Sequence, residues 1–392
     1  MSEEFMGYER PKGKVGIRNK IAILSSVSCV NHVTEEIAKK VENAVALTHP
    51  LGCGQFGPDF LNVQRTLAGL GKNPNIYGTI IVGLGCENLK SEDLAKNIGR
   101  AKKPVEFFNV QDFKGGGIAL IEKGIKVGRK MASEANELKK ESFDFSHLIL
   151  GLECGGSDSI SGITANPAVG IVSDKVVELG GISILPEFTE WIGTEHLLID
   201  RAVGQKAKRD IKSPLKKLIE NTMKVGIDFR GVQPTPGNIE GGLTTIEEKS
   251  LGTIAKAGKA PIIGVLKYSQ QPKRKGLWLM LEPGNDIESM TGLAAAGAQA
   301  IIMTTGRGSP TGNPVAPVIK TCGNPHSCDW LSCHIDVDAS TIITEEKSIE
   351  DIAEIMWKEL VEVLNGKKTK AEELGFQDLA IWRYLAFPFP MN

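Results

Sequence analysis

The feature that most constrains this chain is a rhythm in which short β-branched apolar runs stop at glycine, cysteine or histidine and give way to segments of helical spacing. IAILSSV (21–27), AVALTH (44–49) and TIIVGLG (79–85) are separated by helical patterns over 33–42 and 59–70. Apolar runs alternating with helical segments imply βαβ units and a parallel sheet. A helix over 91–101, a strand at 105–109 and a helix over 118–130 continue the pattern, and the polar stretch 133–145 is expected to divide the chain. HLILGLE (147–153) opens a second series, with strands at 182–186, 261–266 and 300–304 and helices over 214–225 and 287–296. Near the end, Ser348 with Asp351 marks a helix start, and Ile349, Ile352, Ile355, Met356, Leu360 and Val363 form one stripe that stops at Gly366. These features predict an α/β protein of two Rossmann-like domains with mostly parallel sheets, one over 1–135 and one over 145–392. The last helix packs back on the second. A chain of 392 residues has room for two such cores.

Charge narrows the partners. Forty-six Lys and Arg against 47 Asp and Glu give a formal net charge of −1, so the basic footprint of a nucleic-acid-binding chain is missing. No apolar run reaches the roughly 18 residues of a membrane span, and MSEEFMGYERPKGK lacks the apolar centre of a secretory signal. A cytoplasmic protein with small-molecule or protein partners is expected, and self-association into a homo-oligomer is left open. Seven cysteines, an odd number without a closely spaced framework, point to reduced thiols.

Four of those thiols share one setting. Cys29, Cys53, Cys86 and Cys154 each lie a few residues beyond an apolar run, where an open parallel sheet has its ligand crevice. Thiolates are soft ligands for iron, zinc or an iron–sulfur cluster. Any one alone would pass for a small core residue, but four at equivalent points suggest a metal centre. The spacing does not choose between Fe²⁺, another divalent metal and a cluster. His49, four residues before Cys53, is a candidate ligand, core residue or general base, its ordinary pKa near 6.5 suiting proton transfer. A second group, Cys322, His326, Cys328, Cys333 and His334, lacks the C-x₂-C spacing of a convincing zinc site.

Three glycine-rich polar loops complete the candidate site. LECGGSDSISGITANPAVG (152–170) presents Ser157, Asp158, Ser161, Thr164 and Asn166 on a strand-to-helix connection, where free backbone N–H groups can receive a substrate carboxylate. Ser157 and Asp158 also suit helix capping. QPTPGNIEGGLTTIEEKS (233–250) carries Glu240 as a possible acid, base or ligand, while Glu247 and Glu248 read as first-turn carboxylates. TTGRGSPTGNPVAPVIK (304–320) supplies Arg307 and Lys320, natural partners for substrate carboxylates.

GYERPKGKVGIRN, THPLGCGQ, LECGGSDSISGITANP, QPTPGNIEGGLTTIEEKSLG, ESMTGLAAAGAQ and TTGRGSPTGNPVAPVIK, in this order, resemble the altronate and galactarate dehydratase family, which also includes the large subunit of sulfolactate sulfo-lyase. The resemblance implies a hydro-lyase or sulfo-lyase dependent on Fe²⁺ or a similar ion, acting on a hydroxy-carboxylate of the aldonic, aldaric or sulfonated class. Longer members look like this chain preceded by a small β-rich domain, which implies a separate small β-rich subunit as partner. The resemblance does not say which residues hold the metal. Two departures stand out: MLEPGN, with Leu281 and Glu282, where the family usually reads like Met-Asp-x-Pro-Gly, and the Cys/His-rich stretch after Lys320. In the expected mechanism Arg307, Lys320 and the 157–166 loop hold the carboxylate, the metal stabilises the enediolate, and His49 takes the α-proton. A dinucleotide-dependent dehydrogenase is disfavoured because no strand–GxGxxG–helix unit is present; a non-catalytic subunit is the remaining alternative.

Overall fold

A computed structural model describes residues 4–383 except Val225, Ile227 and Pro283. The expected helix end at Val225, and residues 1–3 and 384–392 of the two expected domains, lie outside it. The chain opens with an antiparallel hairpin, β1 (Glu4–Arg10) and β2 (Lys14–Gly16). Next come β3 (Lys20–Ser25), β4 (Ala44–Leu47), β5 (Ile76–Gly83) and β6 (Val105–Asn109), all parallel in the order β4-β3-β5-β6. Ile21, Ala22, Ile23 and Leu24 of β3 are wholly buried, as an apolar run without alternation requires of a central strand covered on both faces.

The stretch 133–145 is not a plain linker. The helix Gly116–Asn136 runs into it because Ala132 and Ala135 extend its buried face, and β7 (Glu141–Asp144) follows and pairs antiparallel with β1. Then β8 (Ile149–Cys154), β9 (Ile182–Leu185), β10 (Ile262–Leu266), β11 (Gly276–Met280), β12 (Ala300–Thr305), β13 (Val318–Cys322) and β14 (Val337–Asp338) form a wholly parallel sheet in the order β10-β11-β9-β8-β12-β13-β14. Chain order reverses at β8, with β9 on one side and β12 on the other. A crevice at the carboxyl ends of these strands follows from that reversal.

The two parallel sheets are the expected α/β architecture. One expected helix differs in extent: the segment expected over 214–225 begins at Gly204 and carries Pro214 inside it, so the proline is not a start signal here. Between the sheets, helix Gly57–Lys72 meets helix Asp286–Ala295, and a Cβ at Gly69 would sit 2.4 Å from the Ala295 carbonyl oxygen. Helix Ile349–Leu364 starts at the Ser348–Asp351 capping box and packs on helix Ala165–Glu178. Its buried stripe runs through Ile352, Met356, Leu360 and Val363 but takes Ala353 and Trp357 in place of the exposed Ile355. Trp357 stacks on Phe145 at a centroid distance of 4.7 Å. Among the described residues no helix is long and apolar enough to cross a membrane.

Candidate active site

Strand β8 ends at Cys154, and its neighbour β9 leads into a turn in which Glu187 takes a left-handed conformation (φ 64°) before the 3₁₀ segment Phe188–Trp191. The Phe188 N–H donates to the Glu282 carbonyl, which fastens this turn to the end of β11. Ligand atoms of Cys154, Glu187 and Glu190 consequently lie within 4.8 Å of one another, all three residues buried. Across from them, helix Ile246–Ala255 and the residue that ends it present Lys249, Thr253 and Lys256 on one face. Lys256 Nζ is 3.2 Å from Glu187 Oε2, Lys249 Nζ is 2.9 Å from Glu190 Oε1, and Thr253 donates to Glu190 Oε2.

Further carboxyl groups surround this core. Glu153 accepts from Ser289 Oγ, while its other oxygen is buried without a hydrogen-bond partner among the described residues. Glu282 accepts from the backbone of Gly284 and Asn285 at 3.0 and 3.3 Å. Burial pushes Glu153 and Glu282 well above the usual carboxylate range, and neighbouring carboxyls add to the effect. Burial also raises Glu187 to about 8 against the pull of Lys256, Asp286 to about 6, and the Cys154 thiol to about 11. Burial opposes ionisation of Glu190 too, but Lys249 and Lys256 outweigh it and hold its pKa below the ordinary value. So many ionisable groups out of water are costly for stability, and such arrangements concentrate where chemistry is done.

The loops after β8 and β12 are joined at the crevice. Gly155 N–H donates to the Thr304 carbonyl at 2.7 Å, and the N–H groups of Gly306 and Arg307 donate to the Gly156 carbonyl at 2.9 and 3.1 Å. A Cβ at Gly306 would fall 1.9 Å from Asp158 Oδ1, so only glycine fits beside that carboxylate. Asp158 accepts from Ser161 N at 2.7 Å as a helix cap and from Asn324 Nδ2 at 2.7 Å. Ser157 Oγ is 3.2 Å from Cys154 Sγ, and its carbonyl accepts from Asn238 Nδ2 at 2.9 Å. Asn166 donates to the Gly252 carbonyl at 2.9 Å, while its buried Oδ1 has no hydrogen-bond partner among the described residues. Beside these residues lies a cavity of about 270 Å³ lined by Ser157, Asp158, Asn166, Leu243, Lys249 and Thr253 among others. Lys249 therefore links the cavity to the buried cluster.

The structure gathers Cys154, Ser157, Asp158 and Asn166 at this place and holds other candidates elsewhere. Arg307 pairs with Glu240 at 3.1 Å on the rim, both largely exposed. Lys320 is buried in β13, and its ammonium donates to the carbonyls of Pro310 and Thr311 at 3.0 and 3.1 Å; it anchors the 306–313 loop from beneath. His49 is buried with Nε2 2.9 Å from the Ser25 carbonyl, and its Nδ1 accepts from Leu51 N at 3.1 Å. Both ring nitrogens are thus engaged, and burial lowers its pKa. Cys29, Cys53 and Cys86 are exposed thiols beyond the carboxyl ends of the neighbouring strands β3, β4 and β5. They do not form a close donor group with Cys154: among the described residues Cys154, Glu187 and Glu190 are the one such set. No residue of the Cys322–His334 cluster belongs to it.

Glu187, Glu190, Lys249, Lys256 and Asp286 were not anticipated as site residues. For the lysines a signal existed in KSLGTIAK (249–256), where Lys249, Thr253 and Lys256 fall on one helical face. Glu282 sits in the MLEPGN segment already marked as a departure. For Glu187 and Glu190, in an irregular turn, no local signal exists.

Comparison with known proteins agrees over nearly the whole chain. The family model for the C-terminal domain of D-galactarate/altronate dehydratase matches residues 145–386, and that for the second domain of D-galactarate dehydratase/altronate hydrolase matches residues 7–136. The (2R)-sulfolactate sulfo-lyase subunit beta of Chromohalobacter salexigens is 37% identical over 385 residues, covering 97% of either chain. The altronate dehydratases of Bacillus subtilis and Escherichia coli are each 34% identical, over 97% and 96% of this chain and 77% of their own length.

Proposed function

The chain belongs to the D-galactarate/altronate dehydratase family, and from that premise we propose that it is a metal-dependent hydro-lyase removing water from a sugar acid or related hydroxy-carboxylate at the carboxyl ends of β8, β9 and β11. What supports this most is the burial of Cys154, Glu187, Glu190 and Lys256 together beside a cavity that Ser157, Asp158, Asn166 and Lys249 help to line.

The donor set fits a divalent metal of intermediate softness. One thiolate and two carboxylates within reach of one another suit Fe²⁺, with Lys249 and Lys256 balancing the added negative charge of the ligands. Bound there, the metal would supply Lewis-acid stabilisation of the negative charge that develops on the substrate. Cys29, Cys53 and Cys86, beyond three adjacent strands, are the alternative thiol set, and their chemistry would suit an iron–sulfur cluster.

The chain's own residues account for binding and proton movement. Lys249, on the cavity wall, attracts the substrate carboxylate, and the free Oδ1 of Asn166 accepts from a substrate hydroxyl. Arg307 on the rim suits a second, distal acidic group. Asp286, partly accessible at the head of its helix and shifted to about 6, takes the α-proton, since a base poised near neutrality transfers protons efficiently. His49, with both ring nitrogens engaged, is left to hold the β3–β4 edge. The ammonium of Lys256 donates toward the leaving hydroxyl.

A sulfo-lyase reaction is the second reading, favoured by the 37% identity to a sulfolactate sulfo-lyase subunit. That relative's designation as subunit beta supports a partner chain, which we take to be the small β-rich subunit. The described cysteines are all free, in keeping with a cytoplasmic setting. Incubating the anaerobically purified, Fe²⁺-loaded protein, with and without that partner, with altronate, galactarate and sulfolactate distinguishes the readings. A 2-keto-3-deoxy acid product supports dehydration, sulfite release supports the alternative, and neither product from any of the three rejects both.

A further inference from the structure

A second cavity, of about 210 Å³, lies at the opposite ends of the strands, where β5, β6, β8 and β12 begin. It is walled by Arg10, Lys12, Lys14, Lys72, Arg100 and Lys103, and among the described residues no Asp or Glu lines it. The six cations come from separate parts of the chain. Arg10 ends β1, Lys12 lies in the hairpin turn, Lys14 starts β2, Lys72 closes helix Gly57–Lys72, and Arg100 and Lys103 follow helix Ser91–Gly99. The opposite wall is apolar or neutral, with Ile149 at the start of β8 and Gln271 and Gly297 from the second sheet's connections.

Two of the cations are nearly out of water. Arg10 is 5% exposed; it donates to the carbonyls of Pro74 and Arg18 and to Asn19, but its Nη1 is buried without a hydrogen-bond partner among the described residues. Lys103 is 7% exposed and donates to the carbonyls of Asn73 and Ile76 at 2.6 and 2.7 Å. Burial lowers both pKa values, Arg10 to about 10 and Lys103 well below its ordinary value. Lys72, held by Asn97 at 2.6 Å, is lowered by burial and then by repulsion from Arg100 and Lys12. A lysine at a helix C-terminus is favourable by itself, which explains Lys72 but not the convergence of five others. Like charges gathered around a concave, partly desolvated space repel one another, and an anion of complementary size relieves that repulsion through charge-assisted hydrogen bonds.

We propose that this cavity binds a small, multiply charged oxyanion of the phosphate class, free or as a phosphate monoester, at a site remote from the reaction. Walls from the hairpin, the first parallel sheet and the second parallel sheet meet there, so the bound anion also ties the two sheets together.

Titration of the full chain with inorganic phosphate and with glycerol phosphate, against chloride at equal ionic strength, tests this by calorimetry and by thermal unfolding. One saturable site and a raised unfolding midpoint are expected, and the tighter of the two probes identifies the form of the anion. Lys72→Gln with Arg100→Gln, both on accessible side chains, should weaken binding by roughly tenfold or more and abolish the thermal shift. Glu190→Gln should leave phosphate binding intact. Absence of saturable binding, undiminished binding to the Lys72/Arg100 variant, or loss of phosphate binding in Glu190→Gln would overturn the assignment. Arg10 is too deeply built into the fold to serve as the test position.

Discussion

Arg18 and Glu372, 354 positions apart, meet in a two-pronged ion pair with Nε 2.9 Å from Oε1 and Nη2 2.7 Å from Oε2. The same guanidinium donates to the carbonyls of Val363 and Lys367, so one side chain near the start of the chain holds the end of helix Ile349–Leu364 and the short helix Lys370–Leu374. Glu372→Gln should lower unfolding stability by about 1–3 kcal/mol. The loss has a pH signature. Burial alone would raise the Glu372 pKa, but Arg18 and Lys20 override it and hold it below the ordinary value. A depressed carboxylate contributes stability that is present above the unfolded pKa, about 4.3, and disappears as pH falls through the folded value. Urea unfolding of the two proteins should therefore differ at about pH 7, and the difference should shrink as pH falls below the unfolded value of about 4.3.

Metal content separates the two thiol sets. Cys154→Ser should lower bound iron without altering the far-ultraviolet circular dichroism, while Cys53→Ser and Cys86→Ser retain it. Iron lost together with acid-labile sulfide from the Cys53 and Cys86 variants, and kept by Cys154→Ser, would move the metal to the ends of β3, β4 and β5.

Kinetic signatures should divide the polar residues. Asp286→Asn is expected to lower kcat by roughly 10²–10⁴-fold. Arg307→Ala removes a rim contact made equally in the ground and transition states and should chiefly raise KM, by roughly tenfold. His49→Ala should destabilise the protein while leaving kcat of the folded fraction near wild type. A selective fall in kcat with unchanged stability would restore His49 as the base.

Gly306→Ala tests the crevice itself. The added methyl would overlap the Asp158 carboxylate, which is also the cap of helix Ser159–Ile163 and the acceptor from Asn324. Loss of about 1–3 kcal/mol through overpacking is expected, with a larger proportional fall in kcat/KM because the loop carrying Ser157 must shift. Wild-type kcat/KM in this variant would show that the junction of the two loops is not coupled to the site.

How far the sequence could be read depends on how local each signal is. Strands β3, β5, β8 and β12 are apolar without alternation, and burial on both faces is the one environment that suits them. Strand β13 was hidden by Lys320, whose ammonium is satisfied by two carbonyls of its own loop. Cys154, Ser157 and Asp158 were legible because they share a strand-end turn. Glu187, Glu190 and Lys256 were not, because the pairing of Glu187 with a lysine 69 positions later is a property of the assembled sheet. Asp286 lies one position before the helix expected over 287–296, and its perturbation comes from burial next to groups far along the chain.

The position of β8 also bears on synthesis. It is the first strand of its sheet to leave the ribosome, yet it ends in the middle, between β9 and β12. The flank that receives Ala300 through Thr304 stays unpaired while the intervening 145 or so residues are translated, and an open apolar strand edge is a template for wrong pairings. A nascent chain stalled before β12 would therefore be the aggregation-prone species, and shielding of that edge during elongation would set the yield of native protein.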